Sequence, residues 1–394
     1  MAMVDSSPAV PAQSSTQPTG SLHVPEFDAF RALAVLTILN HHFGTIILAL
    51  PWYNPIVRGG WIAVPLFFVL SAMLLYLPFV RAGLSGGARP DARYLYQRRL
   101  LRIAPLYYVS MLAYLVAHAA WQRPQPSVGE LFRHLLFLQN LQHDFSIINA
   151  PYWSLAVEVQ FYLLTPLLGL GLYSLLRAVR FRIALGAAAL FALVPLAYRL
   201  YVVAHPALLH EFGYAQLIYC SPISNFDSFA FGVIGAIVYG RSLHERRPLF
   251  RPSTAHAVFV LSFLFLYWIM RVDPDLVHHE QAPATWFAPA IHYSLINLGW
   301  CICILSSLSL GGGVVWNLFR SRFVQLTSRL SYGLYIWTVL CIDATRGVYR
   351  HFGIVRGHRA MPVILCTQLA LTFGVAAVSY RWIELPFLKR KRRS

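Results

Sequence analysis

Apolar residues fall into ten long runs separated by short polar stretches, at roughly 30–50, 61–80, 104–121, 152–175, 182–204, 226–240, 255–271, 286–310, 328–345 and 361–383. Each approaches the ~20 residues that a helix needs to cross a bilayer. The sixth and ninth runs are short and dotted with polar residues. The pattern predicts an all-α, polytopic membrane protein with about ten transmembrane helices.

Composition agrees with this reading. Of the 394 residues, 57% are hydrophobic and only 12% charged, whereas soluble domains carry about twice that charged fraction. Mean hydropathy is +0.55. An even number of crossings puts both termini on one side. Basic residues crowd alternate loops, around Arg81 to Arg102, Arg177 to Arg182, Arg241 to Arg251 and Arg320 to Arg329, and again in the Lys389–Arg393 tail. Positively charged loops face the cytoplasm, so both termini are expected there, in a multi-pass protein of the cell's inner (plasma) membrane. The same charges account for the net +17. Anchoring against anionic lipid explains them more simply than nucleic acid, since no soluble basic-aromatic domain is present to bind one.

Residues 1–24 are rich in Ser, Pro, Ala and Gln and hold no Lys or Arg. They read as a disordered tail before an uncleaved signal anchor. The membrane domain then runs over 25–388, and 389–394 form a basic cytoplasmic tail. The five cysteines show neither a disulfide framework nor metal-ligand spacing, and no nucleotide-binding glycine loop appears.

Three clusters are costly to place in a membrane and need a reason to be there. Arg31 and His42 lie in the first run, eleven residues apart, about 20° off three helical turns and so on one face, roughly 16 Å apart along the axis. Asp28 precedes Arg31 by one turn and is placed to hold it. Arg98, Arg99 and Arg102 form a cationic face at the inner mouth of the third run, and forked donors of this kind suit phosphate. Glu158 lies a turn or two into the fourth run, where a carboxylate needs a partner. Arg31, His42 and Glu158 also suit a proton-coupled carrier, the competing class, although the two halves of the chain show no internal repeat.

The order of these motifs resembles the membrane-bound acyltransferase 3 family. Asp28, Arg31 and His42 match its opening pattern, and Pro65-Leu-Phe67-Phe68-Val-Leu-Ser71 its second segment. Arg98 to Pro105 matches Arg-Arg-x-x-Arg-x-x-Pro, and Trp153 to Tyr162 matches Trp-Ser-Leu-x-x-Glu-x-x-Phe-Tyr. Ser331 to Tyr335 and Ile383 to Phe387 match the closing motifs. There are two departures. Ala72 stands where the family usually has glycine, which puts close backbone approach at that point in question. Thr338 stands where a histidine is common. No esterase-like domain follows the tenth run, so transfer is expected without handover to an attached domain.

The resemblance implies an O-acyltransferase that takes an acyl group, acetyl foremost, from cytoplasmic acyl-CoA as co-substrate, with no bound cofactor or metal. The acceptor would be a hydroxyl of a surface glycan or a small molecule. A buried imidazole stays neutral and can take a hydroxyl proton, which gives His42 the role of general base or transient acyl carrier. Glu158 is expected to orient it as in a serine-hydrolase triad, while Asp28 holds Arg31. Arg31 then serves the donor phosphate or the oxyanion, Arg98, Arg99 and Arg102 bind the donor, and Ser71, Ser331 and Tyr332 line the substrate pocket. The stretch Glu130 to Asn140 reads as an outer interfacial helix.

Overall fold

Among the described residues, ten helices of eighteen residues or more carry an all-α architecture, as the apolar runs lead one to expect. They are α1 (Pro25–Phe43), α2 (Ala63–Ser85), α3 (Ala92–Ala120), α4 (Tyr152–Arg177), α5 (Phe181–Ala204), α6 (Pro222–Glu245), α7 (Pro252–Val272), α8 (Phe287–Ser307), α9 (Arg322–His351) and α10 (Met361–Ser379). The computed structural model describes residues 24–43, 54–141, 147–178, 180–272, 287–351 and 361–390. The expectations for the N-terminal tail, the end of the first run and the last four residues lie outside these. Among the described residues all regular structure is helical, and eight helices are long and apolar enough to cross a membrane. α1 and α9 are too rich in polar and charged residues to belong to that set. They pack side by side; Ser328 Oγ of α9 meets Asp28 Oδ1 at 3.0 Å, and Arg320, in the turn just before α9, reaches Glu26 through Nη2 at 2.8 Å.

Helix boundaries differ from the ends of the apolar runs. α3 begins at Ala92, twelve residues before its run at 104, with Asp91 capping it through the Arg93 N–H at 2.9 Å. Its arginine-bearing turns are helical because Arg, Leu and Tyr extend a helix whether or not lipid surrounds them. Hydropathy marks the membrane and not the helix.

The helix α2 lies at the centre. Its apolar window, within a span beginning at Pro55, is 83% buried, against 22% for α5, and it packs on α1, α4, α6 and α8. Its approach to α6 depends on a missing side chain. A Cβ at Gly232 would stand 2.6 Å from the Ala72 Cβ and press on the Val69 carbonyl oxygen. The close approach that Ala72 put in question is therefore kept, with the missing side chain on the facing helix. Small residues at such a seam let helices meet where lipid supplies no hydrophobic drive.

A second tie joins α5, α6 and α8. Arg199 is fully buried. Its Nη2 reaches Asp227 Oδ2 at 2.6 Å and Ser294 Oγ at 2.6 Å, its Nε the Ala290 carbonyl at 2.9 Å, and its Nη1 the Ser224 carbonyl. Asp227 also accepts from Ser294 at 2.7 Å and Asn297 at 3.0 Å. A buried ion pair with its hydrogen bonds satisfied is tolerable, but either half alone is not. The sequence marks Arg199 only as a basic residue at a span end.

On the outer side, the helix Val128–Leu135 is held by a capping box between Ser127 and Glu130. It exposes Val128, Phe132 and Leu135 and buries His134. Beyond it, Asn140 and Gln160 exchange hydrogen bonds at 3.1 and 2.8 Å, and Asn140 also donates to the Cys220 carbonyl at 3.2 Å. The helix is amphipathic but ends at Leu135, short of the Glu130 to Asn140 stretch expected, and the buried turn after it is fastened to α4 and to the chain entering α6.

Candidate active site

One cleft gathers most of the expected residues. It is lined by Arg31 of α1, Ser71 of α2, Arg99 and Arg102 of α3, Ser154, Glu158 and Tyr162 of α4, and Ser331, Tyr332 and Tyr335 of α9, with Val64, Phe67, Phe68 and Leu70 as an apolar wall. The space between them, mouth included, is about 730 Å³, in the size class of small-ligand clefts. Its α4 wall runs from Ser154 to Tyr162, eight residues or roughly 12 Å of helix.

The arginines occupy the basic-loop end. Arg31 Nη1 meets Asp28 Oδ1 at 3.1 Å, so Asp28 holds Arg31 as expected, and its bond to Ser328 fixes the carboxylate from α9. The charges of Arg102 and Arg99 both act on Arg31, opposed by Asp28. Three guanidinium groups converging in an apolar wall repel one another unless acidic groups or a bound anion offset them. Arg98 does not line the cleft. It lies over the Tyr94 ring at 5.2 Å, because adjacent helical positions differ by 100° and only one of them faces inward.

Deeper in, Glu158 Oε1 accepts hydrogen bonds from the hydroxyls of both Ser71 and Tyr162, which also touch each other at 2.6 Å. Arg99 stands over the Tyr162 ring at 5.7 Å. The membrane carboxylate therefore has its partners, but they are not the expected one. No hydrogen bond joins Glu158 to His42, and the triad-like pairing of the two is not formed in this structure. Glu158 instead organises the cleft wall.

At the outer end, Ser154 Oγ and Tyr335 OH are 2.7 Å apart, and both donate to the Pro151 carbonyl, at 3.0 and 3.1 Å. Tyr332 OH donates to the Ile103 carbonyl at 2.6 Å, joining α9 to α3. Thr338 is buried and spends its hydroxyl on the Leu334 carbonyl of its own helix, so it replaces no imidazole function. Ser154, Tyr162 and Tyr335 are cleft residues that the residue-level reading missed. Their signal was present, since each occupies a matched motif position.

His42 lies outside the cleft wall. Its ring sits 5.5 Å from that of His41, and the charge of Arg346 on α9 acts on it. His41 Nδ1 pairs with the Val57 carbonyl at 2.7 Å, and a Cβ at Gly60 would come within 2.6 Å of the His41 Cβ. His41 thus rests against the turn that leads into Val64 of the cleft wall, with the His42 ring beside it. Arg31 and His42 share a helix face, with the cleft beginning at the first and ending short of the second.

The chain matches the family model described as an acyltransferase domain over residues 24–381. It is 26% identical over 317 residues to ORF330 of Acidianus two-tailed virus, provisionally named an acetyltransferase, covering 80% of this chain and 82% of that protein. It is 26% identical to YrhL of Bacillus subtilis, provisionally named a peptidoglycan O-acetyltransferase, and 22% identical to the peptidoglycan O-acetyltransferase OatA of Listeria monocytogenes. These cover 94% and 93% of the chain, which spans only 56% of the length of each. No solved structure matches.

Proposed function

The chain belongs to the acyltransferase family, and on that footing we propose that it is an integral membrane O-acyltransferase using acyl-CoA from the cytoplasmic side. The observation that carries this reading is the cleft. Arg31, Arg99 and Arg102 gather at its basic-loop end and lead into a space with an apolar wall, along which the Ser71–Tyr162–Glu158 cluster lies. Phosphates suit the guanidinium forks, and a thioester with its pantetheine arm suits the space beyond.

The gap of roughly 16 Å between Arg31 and His42 is one that a pantetheine arm can bridge, with phosphates at the arginines and the thioester near the outer end. There His42 takes the proton of an acceptor hydroxyl, the hydroxyl oxygen attacks the thioester carbonyl, and the C–S bond breaks to release CoA as its thiol. In the stepwise form, His42 attacks first, CoA leaves, and the acceptor hydroxyl takes the acyl group from the imidazole. The position of His42 above the cleft rather than in its wall favours the stepwise form, because one ring then faces the donor side and the acceptor side in turn.

We take acetyl as the acyl group and a surface-glycan hydroxyl as the acceptor, since two relatives carry peptidoglycan O-acetyltransferase names; a small secreted molecule is the second choice. The test is release of free CoA from acetyl-CoA by the purified protein in nanodiscs, wild type beside His42→Ala. Release that falls at least 10²-fold in the variant supports the proposal, as removal of a general base should. Equal release by both would exclude His42. Solute uptake without thiol release would favour a carrier.

A further inference from the structure

The last matched motif, Ile383-Glu384-x-Pro386-Phe387, has no part in the cleft wall, yet it contains the least explained carboxylate in the protein. α10 does not run straight to its end. At Tyr380–Glu384 it widens into a single π-helical turn before the final helix Leu385–Arg390. Such turns insert one extra residue and re-aim a side chain, and they recur at functional sites. The turn and the helix after it pack against α3. Glu384 is 5% exposed, and its Oε1 has no hydrogen-bond partner. A buried carboxylate oxygen left unpaired is expensive, so its retention calls for a cause. The cation whose field reaches it is Arg102, and its own charge reaches the cleft tyrosine Tyr332.

Arg102 has a matching problem. It stands one turn from Arg99 on α3 and lines the cleft with Arg31 of α1. Asp28 holds Arg31, and Glu158 lies beneath the tyrosine that Arg99 covers. Glu384 is the third carboxylate, carried by a turn that packs against α3, the helix that bears Arg102. Without it, repulsion from the other two guanidinium groups would drive Arg102 off the cleft and into the aqueous inner mouth.

We propose that Glu384 is a positioning residue that retains the Arg102 guanidinium over the cleft, so that it meets the anionic end of the donor. This rests on the reading of Arg102 as a donor-binding group. The π-helical turn is the device that aims the carboxylate inward from a helix otherwise turned toward lipid.

The experiment is a double-mutant cycle on binding of coenzyme A to the full protein in nanodiscs, read by titration calorimetry. It uses wild type, Glu384→Gln, Arg102→Ala and the double variant. Gln keeps the shape of Glu, and the fraction of protein that binds reports folding separately from the dissociation constant. The expected result is that Glu384→Gln weakens binding about fivefold with an unchanged binding fraction, and that it has no further effect once Arg102 is gone. Tighter or unchanged binding in Glu384→Gln, or the same loss in both backgrounds, overturns the positioning role while leaving the donor site intact. Failure of wild type to bind, or no effect of Arg102→Ala, overturns the donor reading and this inference with it. A lowered binding fraction at constant affinity would assign Glu384 to folding alone.

Discussion

Two neighbouring arginines carry the sharpest prediction at the residue scale. Arg99 faces the cleft and Arg98 stacks on Tyr94, so equal charges at adjacent positions should behave differently. Loss of a charge-assisted hydrogen bond costs about 1.5–3 kcal/mol, or roughly ten- to a hundredfold. Arg99→Ala is therefore expected to raise the KM for acetyl-CoA by at least tenfold with a smaller change in kcat, and Arg98→Ala to leave KM within twofold. Steady-state CoA release checks both, and a matched rise in the two variants would return these arginines to topology marking. The sequence groups the two because their spacings to Arg102, i+4 and i+3, both look like one face. Which of them points inward is set by how α3 packs on α4, and no local pattern carries that information. The pairing of Glu158 misled for a similar reason. A carboxylate in a membrane needs partners, which the sequence does show, but Ser71 lies on another helix, and a hydroxyl satisfies a carboxylate as readily as an imidazole does.

At the scale of elements, the all-α, many-helix membrane architecture was legible because apolar runs near twenty residues have few other uses. The contacts between them were not. Gly232 is unremarkable in the sequence, yet it decides how near α6 comes to α2. Gly232→Ala is expected to lower stability by about 1–3 kcal/mol through overpacking, seen as a lower Tm in detergent. Ala72→Gly should restore only part of that, because the Val69 carbonyl still obstructs. Unchanged melting would mean the seam can open at no cost. Arg199 and Asp227 make a complementary case. They are 28 residues apart, on helices joined by a short helical connection. Asp227→Ala leaves a buried guanidinium uncompensated and should cost about 3–5 kcal/mol, whereas removing both charges together should cost less than the sum. An additive double variant in the same melting assay would deny the pairing its energetic role.

For the whole molecule, the central claim is one of sidedness. The cleft mouth carries Arg31, Arg99 and Arg102 on the side of the basic loops, while the His41–His42 pair lies at the other end of α1 beside the turn that leads into Val64 of the wall. On the proposed reading, with the basic side taken as cytoplasmic from the charge bias, the molecule draws donor from one face and presents the acyl group toward the other. The alternation of basic loops and motifs is legible in the sequence, but the cleft itself depends on α1, α2, α3, α4 and α9 coming together. The most direct measurement is CoA release from externally added acetyl-CoA in sealed vesicles that contain the protein, prepared inside-out and right-side-out, with His42→Ala vesicles as background. The expected result is His42-dependent release only when the cytoplasmic face is outward. Release from right-side-out vesicles at the same rate would contradict the account, because the arginine cleft would then not be where the donor enters.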